Sequence, residues 1–159
     1  MSGDNIDATS GQQSMGDATL SAAERAHEKN QTPFLVLIAE DEEPIAEAIA
    51  FLVQDNGYTP LIASNGRQAL ELARQHHPAL VITDLMMPYL DGDELISALR
   101  ADAAQDQHAP PRTILLSAAG LRRMQNAGAD AILPKPFELE DLEKLLRRFL
   151  GQPPDTSKT

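Results

Sequence analysis

Short apolar runs alternate with helical patterns through the central part of the chain, and this alternation restricts the fold more than any other feature. Phe34–Ala39 is a continuous apolar run, which is typical of a strand buried on both faces. After Pro44 the large apolar residues recur three and four positions apart, as on one side of a helix. Right-handed crossovers between successive strands would give one parallel sheet with helices on both faces, an α/β fold. The same patterns predict further strands at Thr59–Ala63, Leu80–Thr83, Thr113–Ser117 and Ala131–Leu133, and further helices after Asn65 and over Asp93–Asp102 and Glu138–Leu150.

The two ends of the chain differ from this central part. Residues 1–32 are rich in small and polar residues and contain few large apolar ones, so they cannot bury enough surface to offset their conformational entropy. We therefore expect a disordered N-terminal extension over 1–32. Residues 151–159 begin with glycine and contain two prolines, which predicts a flexible tail. One domain is expected over 33–150, without an output domain of its own.

Composition excludes several classes of function. A net charge of −11 argues against a nucleic-acid or anionic-membrane surface, because both would repel the chain. The sequence has no cysteine, so disulfides, thiolate metal sites and cysteine nucleophiles are excluded. No apolar run approaches the roughly 20 residues that span a bilayer, and no signal-peptide pattern is present, so a cytoplasmic location is expected. The four histidines show no metal-binding spacing and receive no role.

Polar side chains follow four of the predicted strands. Glu40 and Asp41 follow the first strand, Asp84 the third, Ser117 ends the fourth and Lys135 follows the fifth. Ligands and chemistry gather at the carboxyl ends of the strands in a parallel sheet. We therefore expect three carboxylates, one hydroxyl and one ammonium to converge at one edge of the sheet.

This combination of groups indicates phosphoryl chemistry. Crowded carboxylates repel one another, so they bind protons or recruit a cation, and oxygen-only ligands favour Mg²⁺. A carboxylate can also act as a nucleophile and form an acyl phosphate, whose oxygens the ammonium and the hydroxyl would meet. A single acid after a strand is more often a helix cap or a solvated turn, and Lys135 could be an ordinary surface lysine. The presence of all five groups on four strand ends favours the functional interpretation.

Several segments also resemble a known family. LVITDLMMPYLDGDEL at 80–95 carries Asp84, a proline four residues later and Asp91-Gly92. NGRQAL at 65–70, AGAD at 127–130 and KPF at 135–137 follow in the same order as in that family. Over nearly all of 33–150 the chain resembles the receiver domains of bacterial two-component response regulators. The resemblance implies a flavodoxin-like fold, a doubly wound five-stranded parallel sheet with strand order 2-1-3-4-5.

The resemblance implies a phosphorylation site beside a metal site. Asp84 would accept a phosphoryl group from a histidine kinase or a histidine phosphotransfer protein. Glu40 and Asp41 would form an acidic pocket for Mg²⁺, with Asp41 and Asp84 as direct ligands. The backbone carbonyl of Met86 would complete the ligands that the protein provides.

The resemblance also assigns the groups that would meet the phosphoryl oxygens. Ser117 would turn to bind one oxygen, and Lys135 would pair with another. A cis peptide bond is expected before Pro136. The protein would then signal to an unknown downstream target through protein contacts, as a monomer or a weak dimer, and it would assist its own phosphorylation and dephosphorylation without being an enzyme otherwise.

Two departures from the family pattern concern signal transmission. Ile132 stands where receivers usually carry a tyrosine or phenylalanine on the fifth strand. Only ten residues, 118–127, separate Ser117 from Gly128, so the helix expected between the fourth and fifth strands must be very short or replaced by a loop. We expect phosphorylation to be retained and its transmission to be atypical.

Three functions of different classes are compatible with these patterns. A stand-alone receiver uses all five of the polar groups at the strand ends. A pseudo-receiver would be an interaction module that no longer uses phosphate, which would suit Ile132 and the short segment 118–127. An aspartyl-phosphate phosphatase usually has a second aspartate two residues after the nucleophile, but Leu85 and Met86 follow Asp84, so the sequence disfavours this enzyme.

Overall fold

Five strands and four helices alternate in residues 34–118 and 128–153, the part of the chain that the computed structural model describes. Every predicted strand and helix that falls in these ranges is present, with ends that differ by up to three residues. The short helix or loop expected between the fourth and fifth strands lies almost wholly outside the described residues. The elements are β1 (Leu35–Ala39), α1 (Glu43–Asp55), β2 (Thr59–Ala63), α2 (Gly66–His76), β3 (Leu80–Asp84), α3 (Gly92–Gln105), β4 (Arg112–Ser117), β5 (Ala131–Pro134) and α4 (Leu139–Leu150).

Most of the two predicted terminal segments lies outside the described residues. The extension predicted for 1–32 lies outside the described residues, as do positions 154–159 of the predicted tail. The range 33–150 therefore stays a prediction. Within the described ranges, no helix combines the length and the apolar character that a membrane crossing requires.

The five strands form one parallel sheet in the order β2-β1-β3-β4-β5, which confirms the predicted topology. The register aligns the carboxyl ends of neighbouring strands. Ala39 at the end of β1 pairs with Ala63 on one side and Thr83 on the other, and Ser117 pairs with Pro134. The residues that follow these strands are therefore brought to the same edge of the sheet.

Two apolar layers cover the two faces of the sheet. Alternate residues of β1 and β3, including Ile38 and Ile82, pack with α1 and α4 on one face. The residues between them, including Leu37 and Val81, pack with α2 and α3 on the other face. Because side chains alternate along a strand, a strand covered on both faces must be apolar throughout, which explains the continuous apolar runs. All five residues of β1 and of β3 are buried.

Local hydrogen bonds fix where α2 and α3 begin. The Asn65 side chain accepts a hydrogen bond from the backbone N–H of Gln68, so Asn65 caps α2. At α3, the Asp91 carboxylate accepts from the N–H of Glu94, and the Glu94 carboxylate accepts from the N–H of Asp91. This reciprocal capping box satisfies donors that a helix start leaves unpaired. The capping box therefore fixes Asp91 as the residue where the loop after β3 ends and α3 begins.

Gly92 packs directly against the end of β3. A Cβ atom at this position would lie 2.5 Å from the Asp84 carbonyl oxygen and 2.8 Å from Leu115 Cδ1. The Gly92 N–H donates to the Leu85 carbonyl at 2.9 Å. The close approach of α3 to Asp84 therefore depends on the absence of a side chain at Gly92.

We predict that Gly92→Ala destabilises the protein. The added methyl group must displace backbone as well as side-chain atoms, and overpacking of this kind lowers the free energy of unfolding by roughly 1–3 kcal/mol. Chemical denaturation monitored by circular dichroism measures the change. Ser97→Ala is the matched control, because Ser97 is exposed on the same helix and its replacement should change stability little. An unchanged denaturation midpoint for Gly92→Ala would contradict the prediction.

Candidate functional site

Three carboxylates meet at the carboxyl ends of β1 and β3. Glu40 and Asp41 follow β1 directly, and Asp84 is the last residue of β3. One carboxylate oxygen from each of the three residues lies within 4.8 Å of the other two. Glu40 and Asp84 are buried, at 2% and 7% exposure, whereas Asp41 is exposed. Two of the three carboxylates are thus buried, and the third, Asp41, is in contact with solvent.

Lys135 supplies the positive charge at this site. It follows β5, and its ammonium nitrogen lies 3.2 Å from Asp84 Oδ2 and 3.3 Å from Glu40 Oε2. The Lys135 side chain is 19% exposed, so both ion pairs are largely shielded from water. Buried charges of one sign are costly unless they are paired. Lys135 therefore compensates the two buried carboxylates from a strand at the far side of the sheet.

The pKa values show how closely these charges interact. Burial raises the pKa of the Glu40 carboxyl group, and the charge of Asp84 adds to the effect, while the Glu42 N–H and Lys135 oppose it. Glu40 Oε1 accepts the Glu42 N–H at 3.2 Å. Burial by itself lowers the pKa of the Lys135 ammonium, but hydrogen bonds and charge interactions with Asp84 and Glu40 outweigh it and raise that pKa above its usual value. The ammonium therefore stays charged at neutral pH.

Ser117 and Lys135 are connected through the backbone. Ser117 is the last residue of β4 and is 1% exposed. Its carbonyl oxygen accepts a hydrogen bond from the Lys135 N–H at 2.9 Å. The peptide bond between Lys135 and Pro136 is cis, as the resemblance implied. The hydroxyl-bearing residue and the ammonium-bearing residue are thus attached to adjacent strand ends.

Met86 lies in the loop between β3 and α3, two residues after Asp84. The residue is 66% exposed. No contact among the described residues tests the predicted contribution of its backbone carbonyl to a metal site. The predicted ligand role of Met86 therefore stays a prediction.

The donor set of this site fits Mg²⁺. The clustered donors are carboxylate oxygens, and no nitrogen or sulfur ligand is among them. Hard divalent cations prefer such oxygen ligands, and Mg²⁺ commonly uses one or two carboxylates while it keeps bound water. The exposed position of Asp41 leaves the cluster open to solvent on one side.

Sequence reasoning missed Thr83 and the role of Gly92 beside Asp84. Thr83 is fully buried, and its hydroxyl group donates to the backbone carbonyl of Asp84 at 2.9 Å. Gly92 lies against the same carbonyl. A hydroxyl residue inside an otherwise apolar strand was a usable signal for Thr83. The contact of Gly92 depends on how α3 packs, which no local pattern contains.

Ile132 occupies an apolar cluster next to the site. It packs with Ala129 against Leu85, Ile96 and Leu115. Leu85 follows Asp84 directly, so this cluster joins the loop between β3 and α3 to α3, β4 and β5. Ile132, which stands where the resemblance implied an aromatic residue, is therefore partly buried against this cluster.

Comparisons with known proteins agree with this geometry. The chain is 35% identical to the response regulator Rre1 of Synechocystis sp. over 125 residues, which cover 76% of this chain and 53% of Rre1. It is 29% identical to the polar-differentiation response regulator DivK of Brucella ovis, covering 73% of this chain and 95% of DivK. The structure of the chemotaxis protein CheY4 of Vibrio cholerae superposes with a TM-score of 0.64 at 31% identity, covering 73% of this chain and 98% of CheY4.

The chain spans about half the length of the first of these relatives, 53% of Rre1, and nearly all of DivK. A family model described as the response regulator receiver domain matches residues 36–147. This range contains β2 to β5, all of β1 except Leu35, and every polar group of the site. The chain therefore belongs to the response regulator receiver domain family.

Proposed function

We propose that this protein is a single-domain response regulator that accepts a phosphoryl group on Asp84 from a histidine kinase or a histidine phosphotransfer protein. The observation that carries the proposal is the Lys135 ammonium, 3.2 Å from Asp84 Oδ2 and 3.3 Å from Glu40 Oε2, in a cluster completed by the exposed carboxylate of Asp41. A structural ion pair would not require a third carboxylate within reach of the other two. Receiver domains act in two-component signalling, which supports this role.

The proposed reaction transfers a phosphoryl group from nitrogen to oxygen. A carboxylate oxygen of Asp84 forms a bond to phosphorus, and the bond between phosphorus and the donor histidine nitrogen breaks. The electron pair of that bond returns to the imidazole, and Asp84 becomes an acyl phosphate. Lys135 would offset negative charge on the transferred group, because its ammonium already lies beside Asp84. Positioning and charge neutralisation supply most of the rate in such reactions.

We propose that Glu40, Asp41, Asp84 and the backbone carbonyl of Met86 hold Mg²⁺. The ion would supply further charge neutralisation for the phosphoryl oxygens. Its binding would also relieve the repulsion between Glu40 and Asp84, which contributes to the raised pKa of Glu40. Two features support this assignment: all the clustered donors are carboxylate oxygens, and Asp41 is exposed to solvent.

Phosphorylation would change the partners of two residues at the strand ends. The phosphoryl group adds negative charge and acceptor oxygens beside Lys135, and the Ser117 hydroxyl would turn to meet one of them. The residues after β4 and β5 would then reorder, which is a common way for a local charge to reach a surface. The cluster around Ile132 joins β4 and β5 to α3, so it supports a readout through apolar packing.

Signalling through protein contacts is the proposed output. The chain spans 95% of DivK, so a receiver of this length has a counterpart among response regulators. The downstream target is a protein of unknown identity, and a monomer or weak dimer is expected. The alternative is a phosphorylation-independent pseudo-receiver, which the pairing of Lys135 with both buried carboxylates would stabilise without any phosphate.

We predict that the protein gains one phosphoryl group on Asp84. Incubation with Mg²⁺ and acetyl phosphate should produce a single phosphate-sized mass increase by intact mass spectrometry, and chelation should abolish it. Asp84→Asn should show no increase, because an amide cannot form the acyl phosphate. Asp91→Asn is the matched control and should be labelled like the wild type, since asparagine also caps helices well.

Two results would contradict the prediction. Labelling that persists in Asp84→Asn would place the acceptor elsewhere. If rapid quenching and a panel of histidine kinases and phosphotransfer proteins give no labelling of the wild type, the pseudo-receiver becomes the better description.

We predict that Lys135→Met destabilises the Mg²⁺-free protein. Two buried carboxylates would lose their shared cation, and breaking buried ion pairs is strongly unfavourable, so the free energy of unfolding should fall by about 2–4 kcal/mol. Added Mg²⁺ should restore part of the loss. Lys144→Met is the control, because the Lys144 side chain is 76% exposed and its ion pair contributes little. Equal stability of the two variants would contradict the role given to Lys135.

We predict that Glu40→Gln, unlike Lys135→Met, stabilises the Mg²⁺-free protein. The folded-state pKa of Glu40 is raised above its usual 4.5, so folding favours the protonated form, and stability is lost as pH rises from the unfolded to the folded pKa. At pH 7 and without Mg²⁺, Glu40→Gln should therefore stabilise the protein by roughly 0.5–2 kcal/mol, as is common when a strained functional site is relieved. The variant should also bind Mg²⁺ more weakly.

Thermal denaturation at pH 4 to 7 measures this effect. The stability difference between Glu40→Gln and the wild type should grow as pH rises. Glu47→Gln is the control, because Glu47 is exposed on α1 and should give a small difference at every pH. A Glu40→Gln variant that is less stable than the wild type at pH 7 without Mg²⁺ would be inconsistent with this account.

A further inference from the structure

The loop that follows Asp84 contains a strained turn centred on Tyr89. The backbone φ of Tyr89 is 71°, in the left-handed region. The N–H of Leu90 donates to the Pro88 carbonyl at 2.9 Å, so these three residues form a γ-turn. A γ-turn with this sign of φ is rare, and a side chain as large as that of tyrosine makes it less favourable still. Contacts around the turn must therefore hold it in place.

The start of α2 packs directly against this turn. A Cβ atom added at Gly66 would lie 2.7 Å from Leu90 Cβ and would overlap the Leu90 carbonyl group. Met87 and Leu90 pack with the apolar layer that joins α2 and α3 to the sheet. The turn is thus held against α2 by close backbone packing and by apolar contacts.

Arg67 adds a contact on the exposed side of the turn. Its guanidinium carbon lies 5.6 Å from the centroid of the Tyr89 ring, which is a cation–π distance. Tyr89 is 76% exposed, so burial does not account for a large aromatic residue in a turn that disfavours one. The contact with Arg67 instead ties the strained residue to α2.

The loop is short and is tied at both ends. The Leu85 N–H donates to the Leu116 carbonyl, and the Leu85 carbonyl accepts from the Gly92 N–H, both at 2.9 Å. The Met86 backbone lies between Leu85 and the turn at 88–90. Its position therefore depends on how firmly that turn is held.

We propose that Arg67 and Tyr89 are positioning residues for the site around Asp84, and that their contact keeps the Met86 backbone in place for ion binding. The inference rests on the proposed Mg²⁺ site and adds two residues that contact neither the ion nor the phosphoryl group. Without the contact, the loop would populate other conformations. The apparent affinity for Mg²⁺ would then fall by the fraction of molecules whose loop remains in place.

Variants at Tyr89 separate the effect of the ring from that of the backbone. Tyr89→Asn removes the ring but suits a left-handed backbone, whereas Tyr89→Phe keeps the ring. Calorimetric titration of the full, unphosphorylated chain with Mg²⁺ should show about two- to fivefold weaker binding for Tyr89→Asn, the range expected for an exposed cation–π contact. Tyr89→Phe should bind like the wild type. Without Mg²⁺, amide hydrogen exchange at Leu90 should be faster in Tyr89→Asn and unchanged in Tyr89→Phe.

Variants at Arg67 test whether the two residues act as a pair. Arg67→Met should weaken Mg²⁺ binding by the same factor as Tyr89→Asn, and the double variant should bind no more weakly than either single variant. Arg74→Met is the matched control. Arg74 lies on the same helix and contacts Asp102 at 2.7 Å, so its loss loosens α2 from α3 without removing the contact with Tyr89. This control should bind Mg²⁺ like the wild type.

Unchanged Mg²⁺ affinity in either Tyr89→Asn or Arg67→Met would overturn the proposal, and so would additive losses in the double variant. Equal weakening in Arg74→Met would also overturn it, because general loosening of α2 would then explain the effect. A wild-type chain that binds no Mg²⁺ would have the same consequence. These measurements need no phosphate, so a wild type that binds Mg²⁺ without being labelled on Asp84 would contradict the proposed function and leave this inference standing.

Discussion

The arrangement of charges at the carboxyl ends of the strands depends on one lysine. Lys135 follows β5, the edge strand of the sheet, yet its ammonium contacts carboxylates that follow β1 and end β3. Without this cation, Glu40 and Asp84 would be two buried negative charges facing each other. The ion pairs with Lys135 offset the charge of the two carboxylates and hold them close together, although burial and the charge of Asp84 still raise the pKa of Glu40. The remaining repulsion between Glu40 and Asp84 is unfavourable as long as no further cation is bound.

The rest of the fold holds these groups in register. The parallel pairing places the ends of β1, β3, β4 and β5 at one edge, and apolar layers on both faces hold the strands flat against the helices. The capping box of Asp91 and Glu94 begins α3 at a fixed point, and Gly92 lets that helix approach the Asp84 carbonyl. The acceptor is thereby supported by backbone contacts that a loop alone would not provide.

The opposite edge of the sheet has a different chemistry. The imidazole rings of His77 and His108 lie 6.0 Å apart there, whereas three carboxylates meet around Asp84. The apolar cluster of Ile132, Leu85, Ile96 and Leu115 lies between the strand ends and α3. It gives the protein a packed connection between β5 and the residue that follows Asp84.

The sequence by itself determined the strands, the helices, the parallel topology and the residues that follow each strand, because apolar periodicity and strand ends are local properties. The cis bond before Pro136 and the family could also be read from short motifs. Only the tertiary structure decided that Lys135 contacts both Glu40 and Asp84, that Gly92 touches Asp84, and that His77 meets His108. These contacts join residues far apart in the chain, and their distances depend on how helices and strands pack together, which no local pattern of residues contains.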